Sequence, residues 1–194
     1  FTIYHLMGQH VMFKSRYPEE FSYFKPEMYP PGMYTGKQAE IVAQYDNATL
    51  YNDYVLGQII NQLRDKPAVL IYAPDHGEQV FDYRDEMGRN IKASLDNVRI
   101  FYEVPVFVWV SDKYKHLFPE KVKALNRNIH KAIYNSDLPH TVLDLAGIKT
   151  KSFSSEYSLV EDGPGRHIRM IGNIDYDAMR DTIASFRMRY EIPQ

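Results

Sequence analysis

The sequence predicts an α/β fold with a mainly parallel sheet, and three observations predict it. Two continuous apolar segments, residues 68–73 and 104–110, have the length and composition of strands that are covered on both faces. A long helical periodicity precedes the first of them, and further helical segments follow the second. Alternation of covered strands with helices is typical of α/β folds whose strands run parallel.

The first third of the chain predicts a strand, a long loop and a long helix. Residues 1–6 are an apolar run that predicts a short buried strand. Residues 7–36 are rich in proline, glycine and aromatic residues, which indicates a long, ordered surface segment. Over residues 37–64 apolar side chains recur at helical spacing, and Pro67 marks the end of the predicted helix.

The remaining elements alternate in type along the chain. The strand at residues 68–73 runs into a polar turn, and the polar residues 79–100 predict a loop with one short helix. After the strand at residues 104–110, we expect two helices, a late strand and a helical tail, at residues 119–134, 136–146, 168–171 and from 176 onward. No composition shift marks a boundary, so we expect a single domain over residues 1–194.

Composition excludes several classes of function. Of 194 residues, 44% are hydrophobic and 25% charged with a net charge of -2, so no basic field suggests a nucleic-acid partner. No apolar run approaches the roughly 20 residues needed to span a bilayer. Cysteine is absent, which excludes zinc-thiolate sites and cysteine nucleophiles. The chain opens with Phe1 inside an apolar run, so we expect a longer protein, with an export signal or membrane anchor upstream left open.

The turn after the first strong strand is the leading candidate site. Ligands of α/β sheets bind beyond the carboxyl ends of strands, and Asp75 and His76 lie at such an end. Carboxylate and imidazole are both good zinc ligands. Gly77, which lacks a Cβ, permits the sharp bend that lets both side chains reach one ion, and Glu78 could hold the loop. Judged on these residues alone, a polar turn without a metal remains the alternative.

Six separated blocks of the sequence occur in the order found in one known family. They are residues 5–10 (HLMGQH), 16–18 (RYP), 45–48 (YDNA) with Asp53, 72–78 (YAPDHGE), 104–109 (VPVFVW) and 137–140 (DLPH). With this ordered set the chain resembles the phosphoethanolamine transferases, which belong to the alkaline phosphatase and sulfatase superfamily and modify lipopolysaccharide in the periplasm. The blocks span residues 1 to about 150.

The resemblance implies a fold and a chemistry. The fold would be an alkaline-phosphatase-like three-layer sandwich, of which this chain is an incomplete, C-terminal portion. Asp75 and His76 would hold Zn2+ together with an acidic residue and a threonine nucleophile from an upstream segment, so no nucleophile is expected in this chain. The threonine would attack phosphatidylethanolamine, and the phosphoethanolamine-enzyme intermediate would pass its group to a lipopolysaccharide acceptor.

The resemblance also implies a location and further contacts. The full-length protein would be anchored in the bacterial inner membrane upstream, with this domain on the periplasmic face. His10 would contact substrate or a second metal, although a loop histidine bonded to backbone is the alternative. One zinc site is expected, and a second is left open.

The segment after the metal turn departs from many family members. Those members continue into a Tyr-Leu-His-Gly block with another active-site histidine, whereas residues 79–90 contain no histidine. The chain looks more like the branch that acts on the lipopolysaccharide core, where an arginine occupies this region. Arg84 and Arg89 could therefore bind phosphate oxygens. Because acidic residues surround them, a solvated loop with paired charges is an equal alternative.

Two alternative functions stay open, and we expect structural roles for four further residues. The metal turn is shared with sulfatases and phosphodiesterases of the same superfamily, so a hydrolase is one alternative. A non-catalytic module with a vestigial site is the second, because half of the expected ligands are missing from this chain. For Asp46 and Asn47 on the long helix, and for His5 and His140, we expect structural roles.

Overall fold

The computed structural model describes residues 1–82, 86–88, 98–161 and 168–183. The chain forms two compact units. The first contains the described residues 1–61, 78–82 and 86–88, and the second contains 62–77, 98–161 and 168–183. Two units can belong to one domain, so a single domain over residues 1–194 stays a prediction.

The described residues contain six α-helices and six strands. The helices are α1 (Gly36–Leu63), α2 (Val98–Tyr102), α3 (Asp112–Leu117), α4 (Pro119–Asn128), α5 (Leu138–Leu145) and α6 (Tyr176–Ile183). The strands are β1 (Val69–Tyr72), β2 (Gln79–Val80), β3 (Met87–Gly88), β4 (Phe107–Val110), β5 (Met170–Ile171) and β6 (Ile174–Asp175). Short 3-10 helices lie at Phe13–Arg16, Glu19–Phe21, Pro26–Met28, Asn135–Asp137 and Ser155–Tyr157.

The first unit is built around α1, whose predicted position is confirmed. A capping box starts the helix, since the Thr35 N–H donates to Gln38 Oε1 at 2.9 Å and the Gln38 N–H donates to Thr35 Oγ1 at 3.4 Å. One stripe of α1 is buried, and Val42 packs in a core with Phe13, Val80 and Phe81. The hairpin β2–β3, where a loop was expected, thus contributes to this core through β2.

Two neighbouring side chains of α1 hold the preceding surface segment, residues 7–36. Asn47 Oδ1 accepts from the Phe24 N–H at 2.8 Å, and its Nδ2 donates to the Phe24 carbonyl at 3.0 Å. The Tyr29 hydroxyl donates to Asp46 Oδ2 at 2.6 Å. Burial raises the pKa of both the Tyr29 hydroxyl and the Asp46 carboxyl. The expected structural hydrogen bonds of Asp46 and Asn47 are confirmed.

Replacing Asn47 with alanine is expected to lower the free energy of unfolding by about 2–3 kcal/mol, because both backbone groups of Phe24 lose their partner. Asn47 is 1% exposed, so water cannot replace the amide without a cavity. Urea unfolding of the purified protein measures the loss. Gln58→Ala, at an exposed position of the same helix, is the control and should change stability by less than about 0.5 kcal/mol. Equal stabilities of the two variants would contradict the prediction.

The second unit contains the pair of strands predicted most strongly. β1 and β4 pair antiparallel, with Leu70 opposite Trp109 and Ile71 opposite Val108. Ser111 ends β4 and starts α3: its Oγ accepts from the N–H groups of Ala68 and Tyr114 at 3.0 and 3.1 Å. The Tyr114 hydroxyl donates to the Leu145 carbonyl at 2.6 Å, and burial raises the pKa of Tyr114 to about 12.

Two expectations about strands are not met in the part of the chain that the structure describes. Residues 1–6 form neither strand nor helix, and Phe1 is 95% exposed, so the predicted buried strand is wrong. An apolar run becomes a strand only when a neighbour completes its hydrogen bonds, and no described strand pairs with it. Each described strand pair is antiparallel, not parallel as expected. Continuous hydrophobicity is typical of parallel strands covered on both faces, but β1 is only half-buried and Phe107 of β4 is 39% exposed, so the pattern did not decide strand direction here.

The helices of the second unit follow the prediction, except that α4 is shortened and α3, between β4 and α4, was not predicted. α4 begins at Pro119 as predicted but ends at Asn128, six residues early. Asn128 is buried and donates to the carbonyls of Leu159 and Glu161 at 2.8 and 2.7 Å, which ties the helix end to another segment. α5 ends before Gly147, whose φ of 70° is the left-handed conformation expected after a helix. None of the described helices is long and apolar enough to cross a membrane.

Candidate metal centre

Asp75 and His76 lie in the turn that follows β1, as the sequence predicts. The Asp75 side chain is 88% exposed and that of His76 is 32% exposed. The His76 N–H donates to Asp75 Oδ1 at 3.1 Å, so the carboxylate folds back over the next residue. This bond directs the second carboxylate oxygen of Asp75 toward the imidazole ring.

The imidazole of His76 is oriented by the backbone. Its Nδ1 lies 2.8 Å from the Gly77 carbonyl oxygen. Because a carbonyl can only accept, Nδ1 carries the proton in this bond and Nε2 carries the lone pair of the neutral ring. Metal-binding histidines are commonly fixed in this way, with the other ring nitrogen donating to a carbonyl.

The two side chains have the spacing of ligands to one ion. His76 Nε2 lies 3.5 Å from Asp75 Oδ2. Two donor atoms at the usual zinc distances of about 2.0–2.1 Å, on neighbouring corners of a tetrahedron, are about 3.4 Å apart. The pair can therefore occupy two corners of a zinc site. Within the described ranges, no group of three or more acidic or histidine side chains is placed to hold a metal, so the remaining corners need other donors.

Two long-range hydrogen bonds hold the ends of the turn. Asn135 Nδ2 donates to the Pro74 carbonyl at 2.8 Å, just before Asp75. The Gly77 N–H donates to the Phe101 carbonyl at 2.9 Å, just after His76. Asn135 was not predicted, since no periodicity or spacing relates it to a residue 61 positions earlier.

Glycine is required at position 77 because of a close contact with the backbone, not because of a sharp bend. We expected its missing Cβ to permit a sharp bend, but its φ is not positive. Instead, a Cβ at this position would lie 1.9 Å from the Ile100 carbonyl oxygen. The turn packs directly against the backbone of α2, and only glycine leaves room for that approach.

His10 belongs to the first unit, in the loop that follows Gly8. Gly8 has a φ of 42°, and the His10 side chain is exposed. Arg16 organises this loop: its Nε donates to the His10 carbonyl at 3.1 Å, and its guanidinium donates to the Val11 carbonyl at 3.0 Å and lies 3.5 Å from His10 Nδ1. A role of the His10 ring in substrate or metal binding stays a prediction.

Of the other four predicted residues, two lie outside the described ranges, one lacks its expected role and one has it. Arg84 and Arg89 lie outside the described residues, so their role as phosphate contacts stays a prediction. His5 is exposed and not inside a strand, so its expected structural role is wrong. His140 has the expected structural role: its Nδ1 accepts from the Ser154 N–H at 3.1 Å, and its ring packs near Phe153.

The second unit contains a cleft of about 850 Å3 with Asp75 on its wall. Valine side chains of β4 and α4 line part of it, and Arg99, Lys131 and Arg169 add positive charge. Arg99 pairs with Glu103 at 3.1 Å and Arg169 with Asp177 at 2.5 Å, so part of that charge is balanced. The cleft leaves space for a group that approaches the Asp75 carboxylate.

Comparison with known proteins shows the family to which the chain belongs. The sulfatase family model matches residues 1–148. The chain belongs to the sulfatase family. Phosphoethanolamine transferase EptC of Escherichia coli O18:K1:H7 is 34% identical over 191 residues, which cover 91% of this chain and 32% of that protein. The suspected resemblance is thereby confirmed.

Solved structures of sulfatase-family relatives have the same fold. The crystal structure of the C-terminal periplasmic domain of EptC from Escherichia coli matches with a TM-score of 0.74 and 32% identity, over 88% of this chain and 50% of that one. A second structure of that domain, in complex with Zn, also has a TM-score of 0.74 and 32% identity, over 88% of this chain and 49% of that one. The chain thus has the alkaline-phosphatase-like fold as a partial domain. It spans about a third of the length of the full-length EptC relative.

Proposed function

We propose that the full-length protein is a zinc-dependent transferase that moves phosphoethanolamine from phosphatidylethanolamine to a lipopolysaccharide acceptor. The observation that carries this proposal is the Asp75–His76 pair, with Oδ2 and Nε2 3.5 Å apart at the end of β1. Similarity to phosphoethanolamine transferases over 91% of the chain supports the reaction class. A relative whose periplasmic domain was solved in complex with Zn supports the choice of metal.

The residues of this chain would supply part of a catalytic centre. The Asp75 carboxylate and the Nε2 lone pair of His76 would hold one Zn2+, while Nδ1 stays bonded to the Gly77 carbonyl. Bound zinc would lower the pKa of the attacking hydroxyl and offset negative charge on the phosphoryl oxygens. An acidic ligand and the threonine nucleophile would come from the part of the protein upstream of this chain.

Other residues would bind and orient the substrates. Arg84 and Arg89 can each donate two parallel hydrogen bonds to phosphate oxygens. His10 would add a contact to the substrate or to a second metal. The cleft beside Asp75 offers positive charge from Lys131 and the two paired arginines to an anionic group near the metal.

The location of the protein follows from its relatives. The matched EptC domain is periplasmic, and we propose the same compartment for this chain. The full-length protein would be anchored in the inner membrane, so that both the phospholipid donor and the lipopolysaccharide acceptor are within reach. Nucleic acid is not expected as a partner, since the net charge is -2.

One experiment separates the proposed transferase from its two alternatives. The full-length protein would be purified without chelator, its zinc measured by elemental analysis, and its products followed by mass spectrometry with phosphatidylethanolamine and lipopolysaccharide. Zinc-dependent appearance of phosphoethanolamine on the lipopolysaccharide is expected. Hydrolysis of an aryl sulfate or phosphodiester without transfer would favour a hydrolase. A metal-free protein that performs neither reaction would favour a non-catalytic module.

A further inference from the structure

The carbonyl before the candidate metal ligands is held by a side chain from a distant segment. Asn135 Nδ2 donates to the Pro74 oxygen at 2.8 Å, across 61 residues of sequence. Asn135 and Asp75 both lie on the wall of the cleft in the second unit. Since proline has no N–H, this carbonyl is the only backbone hydrogen-bonding group that Pro74 can offer.

Hydrogen bonds hold the 3-10 turn that contains Asn135. The Tyr134 N–H donates to Asp137 Oδ2 at 2.8 Å, and the Asp137 N–H donates back to the Tyr134 carbonyl at 3.0 Å. Asp137 is only 4% exposed. The Tyr134 hydroxyl donates to the Ile168 carbonyl at 3.0 Å, which joins this 3-10 turn to the segment before β5. These bonds tie down the backbone on both sides of Asn135.

The Pro74 carbonyl belongs to the peptide group that joins Pro74 to Asp75. The other end of the turn is held separately, by the bond from the Gly77 N–H to the Phe101 carbonyl. The His76 ring is bonded to the Gly77 carbonyl, so it follows that end. Asp75 is 88% exposed and has little packing, so its carboxylate is held by the bond from the His76 N–H and by the position of the backbone at Pro74. A shift of this backbone would change the 3.5 Å spacing of Oδ2 and Nε2.

We propose that Asn135 is a positioning residue for the metal turn, which it holds through its hydrogen bond to the Pro74 carbonyl. The inference rests on the proposed function, since it assumes that Asp75 and His76 bind zinc. Asn135 touches neither the metal nor the reacting atoms. It reduces the freedom of Asp75 before the metal arrives, so less conformational freedom is lost when the metal binds.

Two substitutions and one matched control test this role in the full-length protein. Asn135→Ala deletes the amide, and Asn135→Asp keeps its shape but cannot donate to a carbonyl when ionised. Both are expected to weaken zinc binding about 10- to 100-fold, measured by competition with a chromophoric chelator. Asn126→Ala is the control, because Asn126 is an exposed amide that lines the same cleft. Its zinc affinity should stay within about twofold of the wild type.

Two further readouts separate positioning from a general structural role. Thermal unfolding of the metal-free proteins should give melting temperatures within about 2 °C of each other, because an exposed hydrogen bond adds little to stability. The visible absorption of the cobalt-substituted protein should change in Asn135→Asp, since this spectrum depends on the arrangement of the ligands. The Asn126→Ala spectrum should match that of the wild type.

The outcomes distinguish this inference from the proposed function. Wild-type zinc affinity and an unchanged cobalt spectrum in both Asn135 variants would overturn the positioning role and leave the zinc site standing. A fall in melting temperature with an unchanged cobalt spectrum would overturn it too, in favour of a purely structural bond. Absence of zinc from the wild-type protein would overturn the proposed function and this inference together.

Discussion

The substitution Asp75→Asn is expected to remove zinc from the full-length protein and to lower phosphoethanolamine transfer about a thousandfold or more. A neutral amide oxygen is a far weaker zinc ligand than a carboxylate. The metal contributes several kcal/mol to stabilising the transition state, and each 1.4 kcal/mol corresponds to about a factor of ten in rate. The amide oxygen can still accept the 3.1 Å bond from the His76 N–H, so the turn itself should persist.

The measurement is zinc per protein molecule together with the transfer rate. Asp112→Asn is the control, because Asp112 carries a comparably exposed carboxylate, 95% against 88% for Asp75. It pairs with Lys115 at the surface, where such pairs add about 1 kcal/mol at most. This control should retain full zinc content and activity. Stoichiometric zinc and normal transfer in Asp75→Asn would show that the metal ligands lie elsewhere.

The substitution Gly77→Ala is expected to disrupt the turn, with a loss of about 3 kcal/mol in the free energy of unfolding and a loss of zinc binding. The added Cβ would lie 1.9 Å from the Ile100 carbonyl oxygen, whereas ordinary contact begins at 3.4 Å. The obstructing atom belongs to the backbone of α2, so no side-chain rotation can relieve the clash. Either the helix or the turn must move, and the bond to the Phe101 carbonyl is lost with it.

Gly57→Ala is the matched control for this clash. Gly57 lies inside α1, and a Cβ there would have no neighbour within 4 Å. Alanine should therefore raise the free energy of unfolding by about 0.5–1 kcal/mol, as expected within a helix. Denaturant unfolding and elemental analysis compare the two variants. If Gly77→Ala folds with wild-type stability and zinc content, the close approach to α2 is not a constraint in solution.

Local signals in the sequence were sufficient to predict several helices and strands. The helix α1 could be predicted because its apolar spacing and its end before Pro67 are properties of neighbouring residues. The end of α5 could be predicted for the same reason, from Gly147. The strand β1 was marked by its continuous apolar run, and the candidate ligands by their position just after it.

Other features of the fold could not be predicted from local signals in the sequence. The hairpin β2–β3 has two residues in each strand, too few for an alternating pattern. The apolar run of residues 1–6 had the composition of a strand but found no described partner. α4 stopped at Asn128 because of contacts with residues 159 and 161, which no local rule includes.

The sequence by itself determined the family and the position of the candidate metal turn. Both follow from short blocks of adjacent residues in a fixed order, and Asp75 and His76 are neighbours in any conformation. Only the tertiary structure decided the antiparallel pairing of β1 with β4, the contact that requires glycine at position 77, and the bond from Asn135 to Pro74. These features join residues that are 23 or more positions apart, and such distances are set by packing and hydrogen bonding in the folded chain rather than by local preference.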